Sequence, residues 1–443
     1  MTVTLVRAAE KPTRTLTLGA AALGFFVLTL DTQIVSVAMP VIGHDLRGGI
    51  SALQWVVTGY TLMLAALLLS AGALSDRVGA SRAFGGGLAA FTVASAVCGL
   101  APSLGVLVAA RFAQGAAAAA ILPASLALVR QAYPDAAERV RAIAVWTATG
   151  GAAMAAGPLV GGLLTSTFGW RSAFYVNAPI GIAGLLAMAR TPRSAARPVP
   201  FDLPGQLSAV VGMAAVTYAV IQRSIVALVV FVVAAGVFAY AERRARHPMV
   251  PLGLFRQPGV VVAVGVGLAV NFAFYGVVFL LALYFEQVRG LPALLAGLMF
   301  LPMTALITVV NLTAGRLVNR YGPRLPMVVG QVVLAAGVLG LLLLGRDTPV
   351  VVQALLLVPF GVGGGLTVPA LTVVLLRSVD AGQAGIASGI LNAGRQFGGA
   401  LGVAVFGALA AGGLLAGMRI ALLVAVVALA VTVVSSLRDS AAG

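Results

Sequence analysis

The stretch FFVLTLDTQIVSVAMP, residues 25–40, sets a carboxylate, Asp31, inside a run apolar enough for a membrane helix. Val27, Leu28 and Leu30 precede it, and Ile34, Val35 and Val37 follow. An ionised side chain at the centre of a bilayer costs about 2.5–3.5 kcal/mol even on lenient insertion scales. Ionisable residues kept in a span against that penalty usually find a partner or water rather than lipid.

The rest of the chain has the same character. Of its 443 residues 60% are hydrophobic and only 9% charged, and mean hydropathy is +1.07. Apolar tracts of about 20 residues, long enough to cross ~30 Å of hydrocarbon, recur throughout. The fold class that follows is an all-α polytopic membrane protein. A membrane β-barrel needs short alternating segments, which these unbroken runs are not. Spans are expected at 16–40, 51–71, 83–101, 103–129, 142–164, 172–189, 203–222, 224–241, 259–285, 292–314, 325–344, 349–375, 384–411 and 418–437.

A net charge of +16 would suit a nucleic-acid binder. In a membrane protein the placement of Lys and Arg matters more than their sum. With the N-terminus inside, 20 of the 28 basic residues fall in cytoplasmic segments and 6 in external ones. That bias places both termini in the cytoplasm of a bacterial inner membrane and leaves nucleic acid out. The other two, Arg111 and Arg395, lie within spans. Cys98 is the single cysteine, so an intramolecular disulfide is excluded. The first tract is too long for a signal-peptide core, and no small-residue cleavage site follows a shorter one. His44 and His247 fall in expected loops, and neither a metal cluster nor a P-loop lysine pattern appears. The chain is therefore read as neither an enzyme nor an ATP-driven pump. It has no cofactor, works as a monomer, and draws its energy from an ion gradient or from the substrate's own gradient.

The chain also repeats itself. GALSDRVG (72–79) is echoed by GRLVNRYG (315–322), and LPASLALVR (122–130) by VPALTVVLLR (368–377), at offsets of 243 and 246 residues. Internal duplication of this sort is common in secondary transporters. The offset shifts the pattern by eight spans instead of six, so spans 7 and 8 read as an insert. The expected layout is a six-span bundle over 1–190, a linker with two inserted spans over 191–258, and a second six-span bundle over 259–443.

Arg111, in RFAQGAAAAAILPAS (111–125), lies eight residues into span 4, ~12 Å deep. Asp31 lies nine residues, ~13 Å, from the same side. Opposite charges at matching depth suggest a pair; the plainer alternative is an arginine snorkelling to the interface. Arg395, in LNAGRQFGGALG (391–402), is ~17 Å deep, too far to snorkel, and should face a cavity or a partner. Glu286 ends span 9, either as a solvated interfacial residue or as a gate. Gln33, Gln114, Asn271 and Asn392 are the further polar candidates for a cavity lining. GGAAMAAGPLVGG (150–162) combines small residues with Pro158, which allows close backbone approach and a bend, although ordinary helix packing would use the same residues.

Taken together these segments resemble the major facilitator superfamily, and within it the fourteen-span drug–proton antiporter branch of the EmrB/QacA type. LDTQIVSVAMP is similar to that branch's span-1 signature, GALSDRVG to its loop 2–3 motif, RFAQG to its span-4 motif and GPLVGG to its span-5 antiporter motif. GWRSAFYVNAPIG (169–181) resembles its start of span 6. The resemblance implies two six-helix bundles rocking about a cavity lined by spans 1, 4, 9 and 12. It also implies proton-driven export of amphiphilic small molecules, drugs or antibiotics. On the same basis Asp31 would face that wet central cavity, and Asp31 and Arg111 would couple protons to substrate. Gly72, Asp76, Arg77, Gly79 and Arg82 would form a conformational gate, and Gly157, Pro158 and Gly161 the antiporter kink. The loop departs from the family pattern after Gly79, where GASR keeps only one basic residue, Arg82. Spans 10 to 14 hold no carboxylate, and two intramembrane arginines face Asp31 alone, so a neutral or anionic substrate is expected over a cationic one. Uptake or facilitated diffusion on the same fold, and a non-transporting receptor or assembly partner, are the competing readings.

The orientation is open to direct test. In a Cys98→Ala background, Ala196→Cys should react with an impermeant maleimide only from the cytoplasm, and Gly345→Cys only from outside. The reverse pattern would overturn the topology.

Overall fold

The computed structural model describes residues 2–196, 202–245, 248–380 and 383–438. These fold into α1 (Thr2–Asp45), α2 (Ile50–Val78), α3 (Ala80–Gly99), α4 (Leu104–Ala132), α5 (Ala136–Phe168), α6 (Ser172–Ala189), α7 (Leu203–Gln222) and α8 (Ile225–Arg244). After them come α9 (Pro258–Val288), α10 (Ala293–Tyr321), α11 (Arg324–Leu343), α12 (Val350–Arg377), α13 (Ala384–Ala410) and α14 (Leu414–Arg438). Among the described residues, 13 helices are long and apolar enough to cross a membrane. The helix outside that set is α13, long enough at 27 residues but less apolar because it carries Asn392, Arg395, Gln396 and several glycines. The all-helical membrane class read from composition is the one observed.

Helix ends follow local chemistry. Asp135, Asp202 and Ser224 cap α5, α7 and α8 by accepting from Glu138 N, Gly205 N and Ala227 N. Three helices break just ahead of a proline: α6 at Val176 before Pro179, α10 at Phe300 before Pro302, and α12 at Leu357 before Pro359. A proline lacks the N–H that the preceding turn would bond, and its ring crowds that turn. α1 continues past its apolar stretch, so His44, expected in a loop, sits in the last helical turn. Hydropathy marks the thickness of the membrane. The helix itself ends only near Arg47 (φ 52°) and the Gly48–Gly49 turn. His247 lies outside the described residues.

α1 packs on α4, α5 and α6, while α2 and α3 pack on α4. In the second half α9 packs on α13 and α14, and α12 lies between α10 and α11. α7 and α8 form an antiparallel pair, and α7 rests on both α2 and α13. Gln206 of α7 donates to Ala66 O at 2.8 Å and accepts a hydrogen bond from Ser70, which ties the pair to α2. The segment after α6 folds back over the α2–α3 turn, where Ser194 N donates to Ser81 Oγ at 2.8 Å. Gly79, at φ 92°, makes that turn in one residue, and a Cβ there would strike the Ser194 carbonyl at 2.6 Å.

Two faces result, a basic one carrying the α2–α3 and α10–α11 turns and the one opposite. The halves seal at the opposite face. Gln54 of α2 donates to Val403 O at 3.0 Å and Ala404 O at 2.6 Å on α13. A Cβ on Gly162 of α5 would meet Ala293 O at 2.7 Å, and one on Gly297 of α10 would overlap Pro158 O. Towards the basic face α5 and α10 part company. Residues 311–313 and 315–317 of α10 are exposed, as are Ala144, Val145, Thr147 and Ala148 of α5. Such exposure runs around the helix instead of along one lipid-facing stripe. α5 and α10 thus meet at one face and are apart at the basic one, while α2 and α13 stay in contact as far as Leu69 and Gly389.

The seal depends on glycine, which gives a test. A branched side chain at Gly297 overpacks the contact by about 1–3 kcal/mol, equivalent to a 5–150-fold shift in a two-state equilibrium. Gly297→Val should accelerate maleimide labelling of a Leu294→Cys reporter at the seal. An unchanged rate would show that this contact does not hold the face shut.

Candidate functional site

Asp31 does not face the cleft. It is 0% exposed, enclosed within the first half together with Arg111, which is 1% exposed. This corrects the expectation of a solvated carboxylate: protein groups, not water, satisfy the charge. Arg111 Nη1 donates to Asp31 Oδ2 at 2.5 Å. Gln114 Nε2 and Asn177 Nδ2 donate to Asp31 Oδ1 at 3.0 and 2.7 Å. Arg111 is no snorkelling side chain either. Its Nε donates to Val56 O at 2.9 Å, and its guanidinium lies 4.3 Å from the centre of the Tyr60 ring.

Local sequence explains the assembly. Arg111 and Gln114 are three residues apart on α4 and share a face. Gln114 then serves both charges, accepting from Arg111 Nη1 at 2.7 Å through Oε1 while donating to Asp31. Asn177 stands at the break in α6 and also donates to Ser95 Oγ of α3 at 2.9 Å. Five helices thus contribute: α1, α2, α3, α4 and α6. Two buried polar atoms in the cluster, Tyr60 Oη and Asn177 Oδ1, have no hydrogen-bond partner.

The remaining candidates are dispersed. Gln33 is buried, with its stem where a Cβ on Gly157 would be, so it packs on α5. Gly161 meets the backbone of Ile34, and the Pro158 carbonyl meets Gly297, so the kink motif is where α1, α5 and α10 converge. Asn271 and Asn392 donate back to Gly267 O and Ser388 O of their own helices. Arg395 is partly exposed, and its Nε is buried without a partner. Glu286 occupies a π-helical turn, Tyr284–Val288, with Oε1 buried and unpartnered. Gly72 is half-buried and Gly79 makes the turn, while Asp76, Arg77 and Arg82 are exposed. Among the described residues these last three make no side-chain hydrogen bond or ion pair.

Sequence reasoning missed Asn177, Tyr60 and Gln54. Each is a polar group within an otherwise apolar helix, the one signal available. Asn177 was within reach, because GWRSAFYVNAPIG drew notice as a whole. Chemically, the arrangement joins a charge to a seal. Arg111, paired with Asp31, holds Val56 of α2 through its Nε. Val56 is two residues from Gln54, the side chain bonded to α13.

The comparisons agree with this architecture. The family model for the Major Facilitator Superfamily matches residues 21–403. The multidrug resistance protein Stp of Mycobacterium tuberculosis is 40% identical over 413 residues, 90% of this chain and 76% of its own. The methylenomycin A resistance protein of Streptomyces coelicolor is 36% identical over 398 residues, 88% of this chain and 84% of its own. The tetracenomycin C resistance and export protein of Streptomyces glaucescens is 33% identical over 407 residues, 89% and 76% respectively. Among solved structures, a bacterial homologue of the human lysosomal transporter Spinster shares the fold, with a TM-score of 0.71 at 16% identity over 98% of both chains. With a family match that runs from Ala21 in α1 to Val403 in α13, and relatives at this identity over most of their length, the chain belongs to the Major Facilitator Superfamily.

Proposed function

We propose that the chain is a proton-coupled exporter of amphiphilic small molecules, with a fourteen-span layout and both termini in the cytoplasm. The observation that carries this reading is the sealed Asp31–Arg111 pair and its link through α2 to the closed face. The relatives named for resistance to, and export of, antibiotics support the substrate class. On this reading the basic face is cytoplasmic, and the structure is the inward-open state. Substrate enters between α5 and α10, and the two bundles, 1–190 and 259–443, rock about it. Protonation of Asp31 frees Arg111, loosens α2 from α13 and opens the outer face. Asp76 and Arg77 engage only when the basic face closes, in keeping with their exposure here.

One proton exchanged for a neutral substrate moves one charge. That is worth ~2.3 kcal/mol per 100 mV, and one pH unit adds ~1.4 kcal/mol. The total of about 3.7 kcal/mol sustains an accumulation ratio of a few hundred.

The test is transport by reconstituted protein, with methylenomycin A and tetracenomycin C as first probes. Asp31→Asn keeps the shape and much of the hydrogen bonding but cannot cycle a proton. It should insert normally and lose ΔpH-driven movement. Were it to move substrate at the parent rate under ΔpH, proton coupling would have to reside elsewhere, with Glu286 the next residue to examine.

A further inference from the structure

The two halves differ in electrostatics. In the first, both oxygens of Asp31 are taken by Arg111, Gln114 and Asn177. In the second, Arg395 lies deep in α13 with a buried Nε–H and no acceptor. No carboxylate occurs anywhere in α10 to α14, and Glu286 stands at the far end of α9. Nothing among the described residues neutralises this arginine.

Its placement is specific. The stem lies across Gly267 of α9, where a Cβ would stand 3.0 Å from Arg395 Cγ. Glycine there lets the guanidinium run along α9. Asn271 and Tyr275 follow Gly267 at successive four-residue steps, on the same side of that helix. The Tyr275 ring lies against Gly399 of α13, one turn beyond Arg395, and both Arg395 and Tyr60 of the Asp31 cluster are near enough to act on it electrostatically. Leu391 flanks the arginine stem at Gly267 with apolar surface, and Val264 lies against the neighbouring Gly394.

We propose that Arg395, with Asn271 and Tyr275, forms a subsite for the anionic oxygen of the exported amphiphile, a carboxylate, sulfonate or phenolate. This rests on the exporter reading above. Arginine stays charged at every physiological pH and presents a planar set of donors that fits two oxygens at once. The apolar flanks favour an amphiphile over a bare inorganic ion. A bound anion would sit where the halves meet, one tyrosine away from the coupling pair, so that occupancy and protonation are felt by the same helices.

Local charge is measurable without knowing the substrate. In the Cys98→Ala background, Asn392→Cys, one turn from Arg395, is treated with two thiosulfonates of similar size, an anionic ethylsulfonate and a cationic ethyltrimethylammonium. Corrected for their reactivity with a free thiol, the anionic reagent should react roughly tenfold faster, the local enrichment expected of an unneutralised charge in a low-dielectric cleft. Arg395→Gln should bring the ratio to about one, and Arg395→Lys should restore it. Ser388→Cys, one turn further along α13, repeats the comparison should the first variant not fold. In the second arm, anilinonaphthalene sulfonate should protect Asn392→Cys from a neutral maleimide, and ethidium should not. Arg395→Gln should abolish that protection.

A ratio unmoved by Arg395→Gln, a failure of both reagents to reach either cysteine, or equal protection by ethidium would overturn the subsite. None of these readouts uses a gradient. Absence of ΔpH-driven transport with the charge ratio intact would instead count against the exporter reading alone.

Discussion

A carboxylate and a guanidinium 2.5 Å apart, both sealed from solvent, hold α1, α2, α4 and α6 to one another. Removing one partner from such a buried pair generally costs about 3–5 kcal/mol, because the other is left charged and dry. Much of the first half follows from avoiding that. Gln114 must stand one turn from Arg111 to serve both ions. Asn177 must project from the break in α6, and the Val56 carbonyl must turn inward. On the coupling role proposed above, one proton would convert the most constrained contact in this half into an ordinary hydrogen bond, a choice between two states.

The rest of the molecule is arranged to feel that choice. α2 carries the accepting carbonyl, the Gln54 amide that seals against α13, and the Ser70 contact to the inserted α7. α5 supplies the second seal, with its glycines against the backbones of α1 and α10. At the Gly161 and Gly162 contacts no side chain bridges the backbones, so a small tilt separates them. Packed interfaces of this kind switch between discrete arrangements instead of stretching.

Composition and apolar run length were sufficient for the all-helical membrane class, because hydrocarbon thickness imposes a length on every span. Depth counting brought Asp31 and Arg111 together, since two charges at one level in a membrane seldom ignore each other. Which way each faced was beyond the sequence. In a helix apolar all round no stripe marks the core side, so Asp31 was expected in a cavity and is instead inside the bundle. Gln54, Tyr60 and Asn177 escaped for a related reason: an isolated amide or phenol in a span reveals no partner until the helices are packed. The gate residues illustrate another limit. Asp76 and Arg77 are recognisable by spacing, yet both are exposed and their side chains hold no partner among the described residues.

Cys98 gives this arrangement a chemical signature. Its thiol is buried and donates to Gln114 Oε1 at 3.6 Å, the same oxygen that receives Arg111. A thiol reacts only where reagent and water reach it and a thiolate forms. The native sulfur therefore stays silent while the ion pair is intact and becomes modifiable when the surrounding helices part. The alkylation rate of an unmodified chain, with no label engineered into it, is a clock for the opening of its own charged core.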